Sequence, residues 1–247
     1  MEAKEMSKET LLGRWEDVRD IRNLMGKMAA DYVLREERSM FEKYWSKRAD
    51  ISLGVNEGFY IGPNSVSEYY NAAGKAIEKE SKKIKSLFPK ELGEKTDEEV
   101  YGVGMMNYKP VDSYVIEEAL DGKTAKGIWM IRGSHSKLSK KGPVAYWEWG
   151  YFAADFVLED DNWKIWHLQY LKDIDSVSGF KWSENNVSYK DRDEFKDWED
   201  YPLPKVDKKY CLREYYNKNR KHSPSPRLPE PYDTFENTFS YGAEGVM

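Results

Sequence analysis

The stretch Val144–Leu171, "VAYWEWGYFAADFVLEDDNWKIWHLQYL", alternates in large side chains on both sides of Asp160 and Asp161. A period of two on both arms of a two-residue acidic turn dictates a long antiparallel hairpin. Such a ribbon has to cover one of its faces, which limits the chain to folds built around a sheet with one packed side. Closing it at the two aspartates pairs Glu159 with Asn162, Leu158 with Trp163, and Phe156 with Ile165. Strict alternation then sets Ala154 opposite His167 and Phe152 opposite Gln169. That face is apolar apart from His167 and Gln169, so it is the face expected under helices. The other carries Tyr151, Ala153, Asp155, Val157, Lys164, Trp166, Leu168 and Tyr170.

Helical spacing precedes the sheet. Leu11, Trp15, Val18, Ile21, Met25, Met28 and Tyr32 recur in steps of four and three, as on one face of a helix. "EERSMFEKYWSK" predicts a second helix, and "ADISLG" and "GFYIG" short strands. Pro63 and Asn64 open a third helix whose charged second half is expected to project into solvent. "SYVIEEAL", "DGKT" and "AKGIWMIRG" predict another hairpin, and "SHSKLSKKGP" reads as a loop. After Asp173 the pattern gives way to Pro, Asn, Asp and Ser with scattered aromatics, an arm expected to pack on a domain. Helices first and then a mostly antiparallel sheet imply an α+β domain. The expected division is a tail over 1–11, a domain over 12–172 and an arm over 173–247.

Composition narrows the function classes. A formal charge of -5 without a basic stripe argues against nucleic acid; the basic run "KKYCLREYYNKNRKH" reads as solvated surface. No apolar run approaches the ~20 residues of a membrane span. The acidic, polar start is unlike a signal peptide, so a cytoplasmic protein is expected. Cys211 is the single cysteine, which removes intrachain disulfides and multi-cysteine metal sites. The aromatic content of 15% concentrates the apolar surface in rings with polar tips, the kind that line pockets.

Four motifs carry a family resemblance: the two opening helices ending near "YWSKRADIS", then "GFYIGPNSVSEYY", then "LDGKTAKGIW", then "WGYFAADFVLEDDNWKI". Their order and spacing resemble the SnoaL-like branch of the nuclear transport factor 2-like superfamily. The resemblance spans residues 12 to 172. It implies a cone-shaped α+β fold, in which a curved, mostly antiparallel sheet and three helices enclose an apolar pocket. Relatives include dehydratases, isomerases, cyclases, small dioxygenase subunits and binders, so the fold alone selects no reaction. Positions often polar in catalytic relatives align with Leu34, Phe152 and Ala154. "YGVGMMNYKP" lacks the histidine that dehydratase-like members often carry.

The resemblance and the register together make His167 a candidate general acid or base, with Asp31 as its orienter and Tyr32 as hydroxyl donor. The alternative is a core histidine bonded to backbone. Asn107, Phe152, Ala154, Trp129 and Met28 are the candidate substrate-binding residues. Trp166 and Tyr170 are offered as dimer contacts on the outer face, or as aromatics covered by the arm. His135 reads as an exposed loop residue and His222 as part of the arm, and no histidine spacing suggests a metal. Only one of Glu117 and Glu118 can face a pocket, and neither is expected to be catalytic. The resulting expectation is an enzyme without cofactor or metal, performing dehydration- or isomerisation-like proton transfer on a hydrophobic ring-containing molecule. It is expected to be a homo-oligomer through the outer face and arm. A ligand-binding or assembly protein, or a small dioxygenase subunit, is the alternative.

Overall fold

Ser7 opens the first helix by accepting the Thr10 N–H at 3.1 Å, the capping that a polar residue ahead of an amphipathic run provides. A computed structural model describes residues 7–74, 77–179, 181–183, 203–222 and 225–246. Its elements in order are α1 (Lys8–Val33), α2 (Glu37–Tyr44), β1 (Ser52–Val55), β2 (Gly58–Ile61), α3 (Gly62–Gly74), α4 (Ile77–Leu87), α5 (Pro89–Leu92) and α6 (Asp97–Val100). The strands β3 (Asn107–Tyr108), β4 (Val111–Glu118), β5 (Thr124–Ser139), β6 (Gly142–Glu159), β7 (Asn162–Val177) and β8 (Lys208–Lys209) follow. The eight strands form one sheet in the order β3-β5-β6-β7-β1-β2-β8, with β4 also on β5. Among the described strands, β1 and β7 are the pair that runs parallel. This is the α+β cone: a curved sheet with helices on its concave face.

The apolar stripe of α1 explains how it docks. Ile21, Met25, Met28 and Tyr32 are buried against Phe152, Ala154, Leu168 and Trp129 in one core. The stripe begins a turn late, because Leu11 and Trp15 stay exposed. Trp163 ties α1 to the sheet by donating its indole N–H to Asp17 at 2.7 Å. The charged half of the third helix does not simply project: it forms α4, whose Ile84 is buried with Val100 and Leu138. No described helix is long and apolar enough to cross a membrane.

The hairpin forms at Asp160–Asp161, both in the left-handed region with φ of 49° and 58°, which short polar side chains tolerate. The pairs Glu159–Asn162, Leu158–Trp163 and Phe156–Ile165 are present. Beyond them the predicted register fails. A bulge inserts Trp166, so His167 pairs with Asp155, and Ala154 pairs with Leu168. Phe152 likewise faces Tyr170 instead of Gln169. One extra residue exchanges the two faces of a strand. His167 and Gln169 therefore lie on the convex face, while Leu168 and Tyr170 lie on the concave one. A second bulge between Ile174 and Lys172 shifts the alternation again and brings Asp175 to the concave side with Lys172. Gly150 sits at this bulge, where a Cβ would stand 2.0 Å from the Leu171 carbonyl oxygen.

The loop expected over "SHSKLSKKGP" is strand instead. β5 runs to Ser139 and pairs with β6 along its whole length, so His135 is a buried strand residue and not an exposed loop histidine. The described part of the arm packs on the sheet. Its β8 adds to β2, and residues 227–246 cross the convex face. Residues 1–6, 180, 184–202, 223–224 and 247, which fall in the expected tail and arm, lie outside the described residues.

Glu118 shows a cost built into the α1–β4 contact. Its side chain is 3% exposed and 3.7 Å from Arg14, whose guanidinium also donates to the Glu118 and Ala119 carbonyls. Burial pushes the Glu118 carboxyl up to about 7, against the pull of Arg14. A raised carboxyl pKa means the folded state holds a proton that the unfolded state has released, so stability falls as pH rises from about 4.5 to about 7. Glu118→Gln is expected to match the parent near pH 5 and exceed it by about 1–2 kcal/mol at pH 8, as urea titrations at both pH values would show.

Candidate functional site

At the open end of the cone, the ends of α1 and α3 face β5, β6 and β7 across a cavity of about 300 Å³. Tyr32, Tyr69, Tyr70 and Tyr170 form aromatic wall, while Arg35, Lys109, Lys137, Lys172, His135, Glu37, Glu148 and Asn107 supply polar groups. That volume is at the small end of ligand sites, which span ~300–1,000 Å³. Tyr32 stacks on Phe152 with centroids 6.4 Å apart, and Phe152 meets Tyr170 at 5.1 Å. The apolar core thus closes the cavity from below.

Glu148 is the centre of the polar part. It continues the concave alternation of Phe152 and Ala154 by two more steps, and it is 1% exposed. Its Oε1 accepts from the Tyr170 hydroxyl and lies 3.0 Å from Lys109 Nζ. Its Oε2 lies 2.9 Å from Lys172 Nζ and 3.1 Å from His135 Nδ1. Lys172 also donates to Asp175 at 2.9 Å, and Asp175 stands 3.5 Å from His135 Nε2. Each nitrogen of His135 therefore faces a carboxylate, and the ring stacks on Tyr146 at 5.0 Å. On the far side Lys109 donates to Asn107, and Asn107 donates to Glu37 at 3.1 Å.

Burial would push Glu148 up, but Lys109 and Lys172 hold it well below the usual carboxylate range. Burial opposes charge on Lys172 as well, yet Glu148 and Asp175 raise it well above the ordinary lysine value. For Lys109 burial wins over Glu148 and the ammonium is lowered. His135 is also lowered, by burial that outweighs its contact with Glu148. It is therefore a neutral imidazole at pH 7, able to accept a proton. Burial raises Tyr32 and Tyr170 well above the usual phenol value and Tyr70 to about 12, so all three keep their protons. The Tyr70 hydroxyl is buried beside the Trp45 and Tyr32 side chains.

His135, Glu148 and Asp175 could offer a metal three ligand atoms within 4.8 Å of one another. The positive charge such a trio needs is already supplied by Lys172, 2.9 Å from both carboxylates, and by Lys109. The donor set fits an ammonium better than a divalent cation.

The residues proposed from sequence divide between two places. Tyr32 and Asn107 line the cavity, with Phe152 directly beneath. Met28, Trp129 and Ala154 are buried in the core. Asp31 accepts from the Tyr44 hydroxyl at 2.8 Å and from Lys43 at 2.9 Å, on the helical side of the sheet. His167 is across the sheet from it, fully buried.

On the convex face, neighbouring strands align Lys126, Asp155 and His167 in one row. Lys126 Nζ donates to Asp155 at 2.6 Å, and His167 Nδ1 is 2.9 Å from the other carboxylate oxygen. The arm closes over this row: Tyr241 N–H donates to Asp155 at 2.8 Å, and Phe235, Phe239, Tyr241 and Tyr232 surround Lys126 Nζ at 4.5–5.7 Å. Trp166, beside His167, is covered by Phe235 at 4.3 Å. Ser240 completes a hydroxyl–imidazole–carboxylate set, but its Oγ approaches the same Nδ1 that faces Asp155, at 3.3 Å. His167 Nε2 is 3.1 Å from the Asp50 carbonyl oxygen. Glu244 Oε1 stands 3.4 Å from the same Nε2, and the Ser240 hydroxyl is held by carboxylates, Asp155 at 3.1 Å and Glu244 at 2.6 Å. This centre fastens the arm to the sheet.

No family model matches the chain, and no curated protein matches it. Solved structures are similar in outline. A hexachlorocyclohexane dehydrochlorinase, LinA-type3, from Novosphingobium barchaimii is 14% identical, covering 68% of this chain and 95% of its own, with a TM-score of 0.44. The Kfla4162 protein from Kribbella flavida is 12% identical over 66% of this chain and 95% of its own, with a TM-score of 0.47. An NTF-2-like protein of unknown function from Shewanella oneidensis is 15% identical over 63% and 98%, with a TM-score of 0.34. At this level of likeness, the cone stands on its own sheet order and helix placement.

Proposed function

We propose that the chain is a cofactor-independent acid–base enzyme acting on a small ring-containing molecule in the mouth of the cone. The observation that carries this reading is His135, an imidazole set between two carboxylates on the wall of a cavity. Its lowered pKa suits it to take a proton from a carbon or hydroxyl of the substrate. Glu148, 3.1 Å from Nδ1, orients the ring and stabilises the imidazolium that results, and Nε2, whose carboxylate neighbour Asp175 is farther at 3.5 Å, is the nitrogen that takes the proton. The hydroxyls of Tyr32 and Tyr70 are the donors available to an oxyanion developing on the substrate. Isomerisation then returns the proton from His135 to a second carbon. In dehydration the imidazolium gives the proton to the departing hydroxyl, which leaves as water.

The test is deuterium uptake from D2O by a panel of cyclic ketones and cyclic β-hydroxy ketones, each with and without a ring carboxylate, followed by NMR. At least one member is expected to exchange, with a rate that rises with pH through a value below the usual imidazole pKa of about 6.5. Exchange by no member, or a rate unchanged in His135→Asn, would refute the reading.

A further inference from the structure

We propose that the ligand of this cavity is anionic, a single-ring carboxylate or equivalent oxyanion whose charge is held by Lys109. The proposal rests on reading the mouth of the cone as the ligand site, and it adds the chemical class of the occupant. Lys109 is 6% exposed and lines the cavity. Its ammonium has three N–H groups and two acceptors: the neutral amide oxygen of Asn107 and Oε1 of Glu148. Glu148 does not belong to Lys109 alone, since Lys172 and His135 approach its other oxygen at 2.9 and 3.1 Å. Lys172, by contrast, has Asp175 at 2.9 Å as a second carboxylate. Of the two lysines on Glu148, Lys109 therefore has the fewer carboxylates in contact, consistent with burial lowering its pKa. An anion in the cavity would give the third N–H of Lys109 a charged acceptor.

The surroundings give the rest of the ligand. Lys109 Nζ lies between the rings of Tyr32 and Tyr170, 5.2 and 5.4 Å from their centroids. Aromatic walls beside a cation accept a flat ring with a charged substituent. The modest volume holds a ligand of about one ring.

Calorimetric titration with benzoate and with benzamide, its neutral isostere, tests the proposal. Benzoate is expected to bind the full chain at least about tenfold more tightly than benzamide. Lys109→Met is expected to abolish that preference, and Lys109→Arg to retain it. Equal affinity for the two compounds, no benzoate binding at millimolar concentration, or a preference that survives in Lys109→Met would each overturn it. His135→Asn separates this result from the acid–base reading. Benzoate preference should persist there, so loss of turnover with retained binding upholds Lys109 whatever becomes of the catalytic role.

Discussion

Asp155→Asn is expected to destabilise the chain by about 3–5 kcal/mol, the cost of removing one partner from a buried ion pair. Four groups converge on that carboxylate: Lys126 Nζ, His167 Nδ1, the Ser240 hydroxyl and the Tyr241 N–H. Lys126 and Asp155 are both fully buried. Without the carboxylate the ammonium is left with aromatic rings, which offset only part of its lost hydration. For a chain of this size the loss corresponds to a fall of roughly 6–20 °C in melting temperature. Lys126→Met in the same background should recover part of it, because it removes the stranded charge. Additive losses in that double variant would mean that the two side chains are not coupled. Burial would raise the Asp155 carboxyl, but His167 and Lys126 hold it below the usual value. Its contribution is thus present above the ordinary aspartate pKa of about 3.9 and is lost as pH falls below it.

His135→Asn is expected to lower turnover of any exchanging substrate by about 10²–10⁴-fold, the range that one positioned acid–base group supplies. Folding should suffer far less than in Asp155→Asn, since asparagine still offers a polar group to Glu148. His167→Asn gives the opposite pattern, a clear loss of stability with turnover per folded molecule within a few fold of the parent. Exchange rates set against circular-dichroism melts of the two variants would separate them. A large loss of turnover in folded His167→Asn would return the catalytic role to the convex face.

The sequence carries the architecture further than it carries the site. The acidic turn at Asp160–Asp161, the stripe from Ile21 to Tyr32 and the helices-then-sheet order each follow from local chemistry. Tyr32 and Asn107, both candidates from the sequence, line the cavity. The position of His167 was not legible, because a bulge is a tertiary event. Large residues occupy both faces of "NWKIWHLQYL", so nothing in the pattern marks Trp166 as the inserted one. His135 reads as a loop residue for a different reason. The ends of β5 and β6 border a polar cavity and solvent, so their residues lose the apolar contrast that identifies a strand. A signal did exist in Glu148, a lone carboxylate on the same alternation as Phe152 and Ala154. Carried four residues past Ile131, the alternation of β5 would have brought His135 to the same side.

The central claim is that ligand chemistry belongs to the concave mouth, whereas the histidine on the convex face is structural. The chain has only three histidines, so the imidazole nitrogens can be followed individually by ¹⁵N NMR. Titration with benzoate and with the cyclic ketones should shift the His135 nitrogens and leave those of His167 in place. Shifts confined to His167, or none at His135 under saturating ligand, would contradict the account.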